Sequence, residues 1–417
     1  PVLDLSTESK EVGSNTWEKT MVSTFGRVNY SYDGKYFLQA NFRRDGSSNF
    51  GKQNRYGFFP SVSAAWNLSR EGFFKIPFIN DFKVRASYGR LGNDQIGSYQ
   101  YLQTVAGGFY YINGLGQLIT GMTGYSLANE GIKWETTSTA DLGVDLSILK
   151  NQLTFSFDYY NKKTDDILVS LNLPWSFGGA TSQLMNAASV RNTGYELSLN
   201  WKETNGSISY SVGGNFSSYT NKVLSLGSRK EPIWGTDIDW NSGSVTRTAI
   251  NGTISEFYVW KTAGIFNNQA EVDEWNLQGH TDEDGNFTPL QEFAQPGDIR
   301  FIDKNEDGIL DDKDRTKLGS PIPDFSYSFN FSVAWKGIDL FAMFNGVYGN
   351  EIFNGIKYRT ERMDNYWNYS KNALKAWTPQ NMNTDVPHAT KDDLNSNRRV
   401  SDRYIESGTY LRLKTVQ

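Results

Sequence analysis

Between Phe325 and Trp335 every second residue is large and apolar: Phe325, Tyr327, Phe329, Phe331, Val333 and Trp335 alternate with Ser326, Ser328, Asn330, Ser332 and Ala334. A side-chain period of two sorts these sets onto opposite faces of an extended strand. The alternation resumes after Lys336-Gly337 with Ile338, Leu340, Ala342 and Phe344, which predicts the second arm of a hairpin. Val28, Tyr30 and Tyr32 likewise lead through Asp33-Gly34 into Tyr36, Leu38, Ala40 and Phe42, and that dipeptide accepts the positive φ of a type I′ turn. Two further hairpins join 142–148 to 153–159 around Lys150-Asn151, and 195–201 to 208–216 across Asn205-Gly206. Weaker strands at about 55–68, 81–90 and 408–417 bring the expected strands to eleven.

The connections between these strands are unequal. Those around 33–34, 69–80, 149–151, 203–206 and 336–337 fall at one end and are comparatively short. Those around 44–54, 91–131, 163–187, 220–323 and 349–407 fall at the other and are mostly long, polar and rich in Gly, Asn and Asp. An all-β, antiparallel transmembrane β-barrel has this asymmetry, with short periplasmic turns and long extracellular loops. No apolar run approaches the roughly 20 residues of a spanning helix, but barrel strands, half polar, need none. Aromatics at 15% of the chain suit pleated strands and the water–hydrocarbon boundary, where Trp201, Trp335 and Tyr159 are expected.

The alternative is a soluble or surface-anchored β-sandwich that binds carbohydrate, its apolar stripes buried face to face. The barrel reading carries a corollary, because the segment Tyr410–Gln417 stops while still strand-like and lipid tolerates no open edge. First and last strands are therefore expected outside residues 1–417, which form part of one barrel domain. The N-terminus shows no signal peptide.

Other function classes are disfavoured by what the chain lacks. A formal charge of -5 with no dense Lys/Arg run argues against nucleic acid. Without cysteine there is no disulfide, thiolate metal site or cysteine nucleophile. Only His280 and His388 are available, in loop-like sequence, and no nucleophile elbow or zinc-type His pair occurs, so no enzyme is expected.

The sharpest local motif is Asp303-Lys304-Asn305-Glu306-Asp307-Gly308-Ile309-Leu310-Asp311-Asp312-Lys313-Asp314. An EF-hand-type loop draws oxygen ligands from positions 1, 3, 5, 7, 9 and 12 with glycine at 6. Asp303, Asn305, Asp307, Ile309 through its carbonyl, Asp311 and Asp314 fill those slots for Ca²⁺, and Asp314 in place of glutamate is dockerin-like. The competing reading is an Asp/Asn-rich turn whose side chains bond their own backbone. Asp282-Glu283-Asp284-Gly285-Asn286 has its glycine too early for that register and reads as a plain turn. Trp175, Trp234, Trp240 and Trp275 lie in the long connections, where they would stack on substrate, anchor a partner or pack within the loops.

Several stretches resemble the SusC-like (RagA-like) branch of TonB-dependent outer-membrane transporters of Bacteroidetes. They are Phe37–Ser48, Phe59–Trp66, Ala86–Asn93, Trp134–Thr137, Asp158–Thr164, Asn192–Glu196, Pro296–Arg300 and Gly408–Lys414. Their shared order across nearly the whole chain carries the resemblance. It implies a 22-stranded barrel, an N-terminal plug absent from this sequence, energy from TonB contacted through that missing region, and a SusD-like surface lipoprotein as lid. The implied activity is import of an oligosaccharide or peptide.

Overall fold

A computed structural model describes residues 16–103, 105–124, 128–172, 182–204, 206–227, 231–239, 243–364 and 368–417. Eleven strands form one sheet in chain order: β1 Met21–Tyr32, β2 Tyr36–Ser47, β3 Ser61–Asn67, β4 Ile79–Asn93, β5 Glu135–Ile148, β6 Leu153–Asn172, β7 Ser182–Glu203, β8 Ile208–Leu226, β9 Phe325–Trp335, β10 Ile338–Tyr348 and β11 Tyr410–Val416. A short strand, Tyr56–Phe58, also pairs with β2. Each strand lies beside its neighbour in sequence, and the eleven predicted strands are these.

The turns follow the local chemistry. Asp33 and Gly34 have φ of 52° and 60°, and Lys336 and Gly337 have 48° and 85°, as a type I′ turn requires. Leu149, Lys150 and Asn151 turn the third hairpin with three successive positive φ values. Asn205 of the fourth turn lies outside the described residues.

The expected loops need correction. Most of 163–187 is strand, because β6 continues to Asn172 and β7 starts at Ser182. The 91–131 connection holds a hairpin of Val105–Ile112 with Leu118–Gly124. In the outer parts of β6 and β7 neither the polar nor the apolar residues keep to alternate positions, so the backbone ladder continues where the sequence alternation has gone. The 44–54 connection shortens in the same way, with β2 reaching Ser47.

The ladder registers fix the two faces. Phe331 of β9 sits opposite Val212 of β8 and Ala342 of β10, and Phe329 opposite Phe344, their rings stacked 4.6 Å apart. One residue along, Asn215, Ser328, Asn345 and Arg412 form a row across four strands. The apolar face is open: Phe329 is 39% exposed, Trp335 46%, Leu413 51% and Ile338 66%. A β-sandwich would bury this stripe, so that alternative is overturned. Among the described residues no helix is long and apolar enough to cross a membrane.

The chain forms two compact units, one of residues up to Trp66 with Arg85–Ala140 and Lys162–Ser189, the other of Asn67–Val84, Asp141–Asn161 and Val190–Gln417. In the first, Phe50, Phe59, Ile132 and Trp134 form a small core, with Phe50 and Phe59 at 5.1 Å and 5.3 Å from the Trp134 ring. Trp134 Nε1 donates to the carbonyl of Arg55. Ser47 Oγ donates to Asp94, whose carbonyl accepts from Asn49, so the end of the Phe37–Ser48 stretch is clasped to the residue that follows β4.

The second unit contains a folded body built from the 231–323 and 349–407 connections. Val245, Phe257, Val259, Tyr358, Val400 and Tyr404 form its core, and the Tyr358 and Tyr404 rings meet edge to face at 5.1 Å. The two segments join where Trp260 N–H donates to the Val400 carbonyl and Asp402 N–H to the Trp260 carbonyl. Helices α1, Gln269–Asn276, and α2, Gly355–Glu361, are each capped by the asparagine before them, Asn268 and Asn354.

Candidate functional site

The surfaces available for recognition are the polar face of the sheet and the loop body. In the first unit that face carries Arg27, Gln39, Asn41, Arg43, Ser61, Ser63 and Ser87 around a cavity of about 900 Å³. Arg27 donates to Asn41, Asn41 to Ser61, and Arg43 pairs with Asp45 at 2.6 Å. In the second unit a cavity of about 420 Å³ is lined by Asp158, Glu196, Asn215, Ser328 and Asn345. Amides, hydroxyls and paired charges stand on both walls beside apolar residues such as Phe42, Val62, Phe216 and Val347, and the polar groups suit a hydrated lumen.

The loop body is cross-linked by polar side chains. Gln291 Nε2 donates to the Ile299 carbonyl and to Asn395, while its Oε1 accepts from Phe301 N–H. Asp298 Oδ1 accepts from Asn397 at 2.6 Å and stands 2.8 Å from His388 Nε2. Gly297, with φ of 98°, sits so close to Trp377 and His388 that a Cβ would lie 2.6 Å from the indole. Pro296–Arg300 is therefore the seam on which the two connections close. Burial pushes the Asp393 carboxyl up to about 6, although the amides of Asn397 and Arg398 donate to it.

The predicted cation loop gathers its residues around backbone amides. Asp303 accepts from Glu306 and Gly308 N–H, Asn305 from Asp307, Asp307 from Ile309, and Asp311 from Lys313. Gly308, the sixth position, has φ of 77°. Asp314 is fully buried, accepts from the amides of Lys304, Asn305 and Asp311, and its side chain meets that of Asp303. Burial pushes the Asp314 carboxyl up. The Ile309 carbonyl accepts from Asp311 N–H, and Lys313 Nζ stands 3.0 Å from Asp311. Among the described residues no three His, Cys, Asp or Glu side chains stand as a metal-ligand group. The Asp282–Asn286 segment is the tight turn expected, with Asp282 accepting from the amides of Asp284 and Asn286, and bonds to Asn286 hold its carboxyl below the usual range.

Trp234 and Trp275 are not brought together. Trp234 is exposed on one side, with the Arg315 guanidinium 4.5 Å from its ring and Tyr258 at 5.7 Å. Trp275 packs edge to face on Phe266 inside the loop body, and its indole nitrogen is buried without a hydrogen-bond partner among the described residues. Trp175 and Trp240 lie outside the described residues. Sequence reading passed over Arg399, whose guanidinium lies 4.6 Å from the Trp260 ring and 4.9 Å from Phe301. No spacing rule marks it, because its partners come from residues far away in the chain.

Sequential strands with an open apolar face on one side and polar walls on the other define a transmembrane β-barrel of the outer-membrane type. The chain belongs to the TonB-dependent receptor-like β-barrel family, which matches residues 5–253. It is 35% identical over 402 residues to TonB-dependent receptor P3 of Formosa agariphila, covering 96% of this chain and 38% of that protein. SusC of Bacteroides thetaiotaomicron is 27% identical over 412 residues, covering 95% and 37%. The structure of the RagAB peptide importer in its closed-closed state superposes with a TM-score of 0.73 at 25% identity, covering 95% of this chain and 40% of that one. The chain spans about two fifths of the length of these relatives. They are receptors and transporters, not enzymes.

Proposed function

We propose that this chain is the strand-and-loop part of a TonB-dependent importer of a bulky nutrient, an oligosaccharide or a peptide, working with a SusD-like surface lipoprotein. The observation that carries this is the exposed apolar stripe of β8 to β11 backed by a row of Asn, Ser and Arg, a wall made to separate lipid from a wet lumen. The relatives support the nutrient class, since one structural relative is a peptide importer and a sequence relative is SusC. On this reading residues 1–417 are part of one barrel domain that closes at the family's 22 strands, with a plug and TonB contact contributed by other sequence. Edge strands β1 and β11 support it, because each pairs on one side among the described strands. Trp234, exposed on one side, is the proposed aromatic contact for substrate or lid, with Trp175 and Trp240 as further candidates, whereas Trp275 packs within the loop body.

Uptake of a labelled oligosaccharide or peptide by cells carrying the intact parent protein, with and without TonB, tests the importer. Uptake that survives loss of TonB or of the protein sinks it. Purification without an accompanying lipoprotein sinks the partner assignment.

The 303–314 loop is proposed as a calcium loop, supported by the ligand order, the φ of Gly308 and the contact between the Asp303 and Asp314 carboxyls, which a divalent cation would relieve. Calorimetric titration of the intact protein with Ca²⁺, against a D303N/D307N variant, decides it. Equal heats from the two proteins leave the loop a self-bonded turn.

A further inference from the structure

Beside the 303–314 loop lies a cavity of about 260 Å³, lined by Leu290, Phe293, Ile309, Leu310, Leu394 and Arg399 among others. That is below the about 300–1,000 Å³ of sites that engulf a small molecule, so it fits one chemical group of a larger ligand. Arg399 is its cation. The guanidinium is held over two aromatic rings, yet among the described residues it makes no side-chain hydrogen bond and has no carboxylate within ion-pair distance. Asp393, Asp312 and Asp314 attract it only from further away. Every other guanidinium of the loop body that stacks on a ring, those of Arg247, Arg300, Arg315, Arg362 and Arg403, also has a carboxylate partner.

A guanidinium offers a planar fork of donors matched to a carboxylate, and burial strengthens that match. Arg399, desolvated over Trp260 and Phe301, therefore presents an unfilled fork to the cavity. The remaining lining selects what accompanies the anion. Leu290, Phe293, Ile309 and Leu394 offer apolar contact, whereas the amides of Gln291 and Asn395 are spent on Ile299, Phe301 and each other. Thr288, Ser396 and His280 are the other polar groups of the lining, so the comparison with glucuronate below separates an apolar companion from a hydroxylated one. Exposed Glu292 on the lining is the one opposing charge.

We propose that this cavity binds a carboxylate bearing an adjacent apolar group, the chemistry of a peptide's C-terminal residue, with Arg399 as the anion-binding group. The inference stands on the loop body alone and does not rest on transport.

The test is calorimetric titration of the intact protein in detergent with N-acetyl-L-phenylalanine, its uncharged amide and glucuronate. The acid is expected to bind at least about tenfold more tightly than either. Arg399→Lys keeps the charge, loses the fork and is expected to cost about tenfold. Because Arg399 also packs on two rings, Leu394→Glu on the exposed lip supplies a second test, weakening the acid by like charge without disturbing that stack, and Glu292→Gln tightens it. Equal binding of acid and amide overturns the proposal, as does no binding of the acid at millimolar concentration. Glucuronate binding as tightly as the acid overturns the apolar part.

Discussion

The strands β8 to β11 and the loop body of residues 231–323 and 349–407 belong to the same compact unit and are built on opposite plans. In the strands, backbone groups pair along ladders, and the apolar side chains point outward and stay exposed. In the loop body, apolar side chains point inward, and much of the backbone is satisfied by side chains of Asn, Gln, Asp and Arg. The first plan suits a solvent of hydrocarbon and the second a solvent of water. A substitution that damages one region should therefore be mild in the other.

Truncating Tyr358 to alanine is expected to cost the loop body about 3–5 kcal/mol, because the side chain is fully buried against Tyr404 and Phe353. Limited proteolysis should then cut 349–407 while the heat-modifiable band of the folded barrel persists. Loss of both together would show that the plans are not separable.

Phe329→Arg, on the open apolar stripe, is expected to cost about 2–4 kcal/mol in lipid if it sits near mid-bilayer, whereas Asn330→Arg on the other face costs little. Unfolding titrations in liposomes measure the pair. Equal costs would refute the assignment of faces.

Asp393 provides a smaller effect of opposite sign to most acidic residues. Its folded carboxyl titrates at about 6 against 3.8 for the ordinary group, so the folded state holds the proton more tightly. Stability conferred by that proton is present below about pH 4 and is lost as pH rises through 6, with an upper limit of about 3 kcal/mol. Hydrogen exchange at the amides of Trp260 and Asp402, which join the two segments of the loop body, should quicken from pH 4 to 7, after correction for intrinsic rates, and Asp393→Asn should flatten the dependence. Slower exchange at higher pH would reverse the sign.

Trp234→Ala is the mildest change, about 0.5–1 kcal/mol from loss of the contact with Arg315. Near-zero change in loop-body stability combined with lost uptake would sharpen the case for Trp234 as a contact residue.

The same contrast explains what the sequence disclosed. Phe325–Trp335 announces itself because one face meets an apolar medium and the next residue a polar one, so the period is written in composition. The turn at Asp33-Gly34 is equally local. Tyr358, Tyr404, Val259 and Val400 share a core without sharing a period, and nothing in their neighbourhoods brings 259 to 400. Asn395 and Asn397 look like turn residues and are buried struts. Of the site, the 303–314 motif was legible because its carboxylates, amide and glycine fall within twelve successive positions, and Arg399 was not because its surroundings are assembled from 260, 301 and 309.

Ser217 of β8 stands opposite Ser326 of β9 and Val347 of β10 opposite Tyr410 of β11, so both segments of the loop body leave the wall and return to the adjoining strand. An insertion whose two ends meet at one ladder rung imposes no length on the sheet that carries it. The loop body is thereby an exchangeable cassette: a lineage can replace it wholesale, altering what is recognised outside, without shifting a single register in the wall.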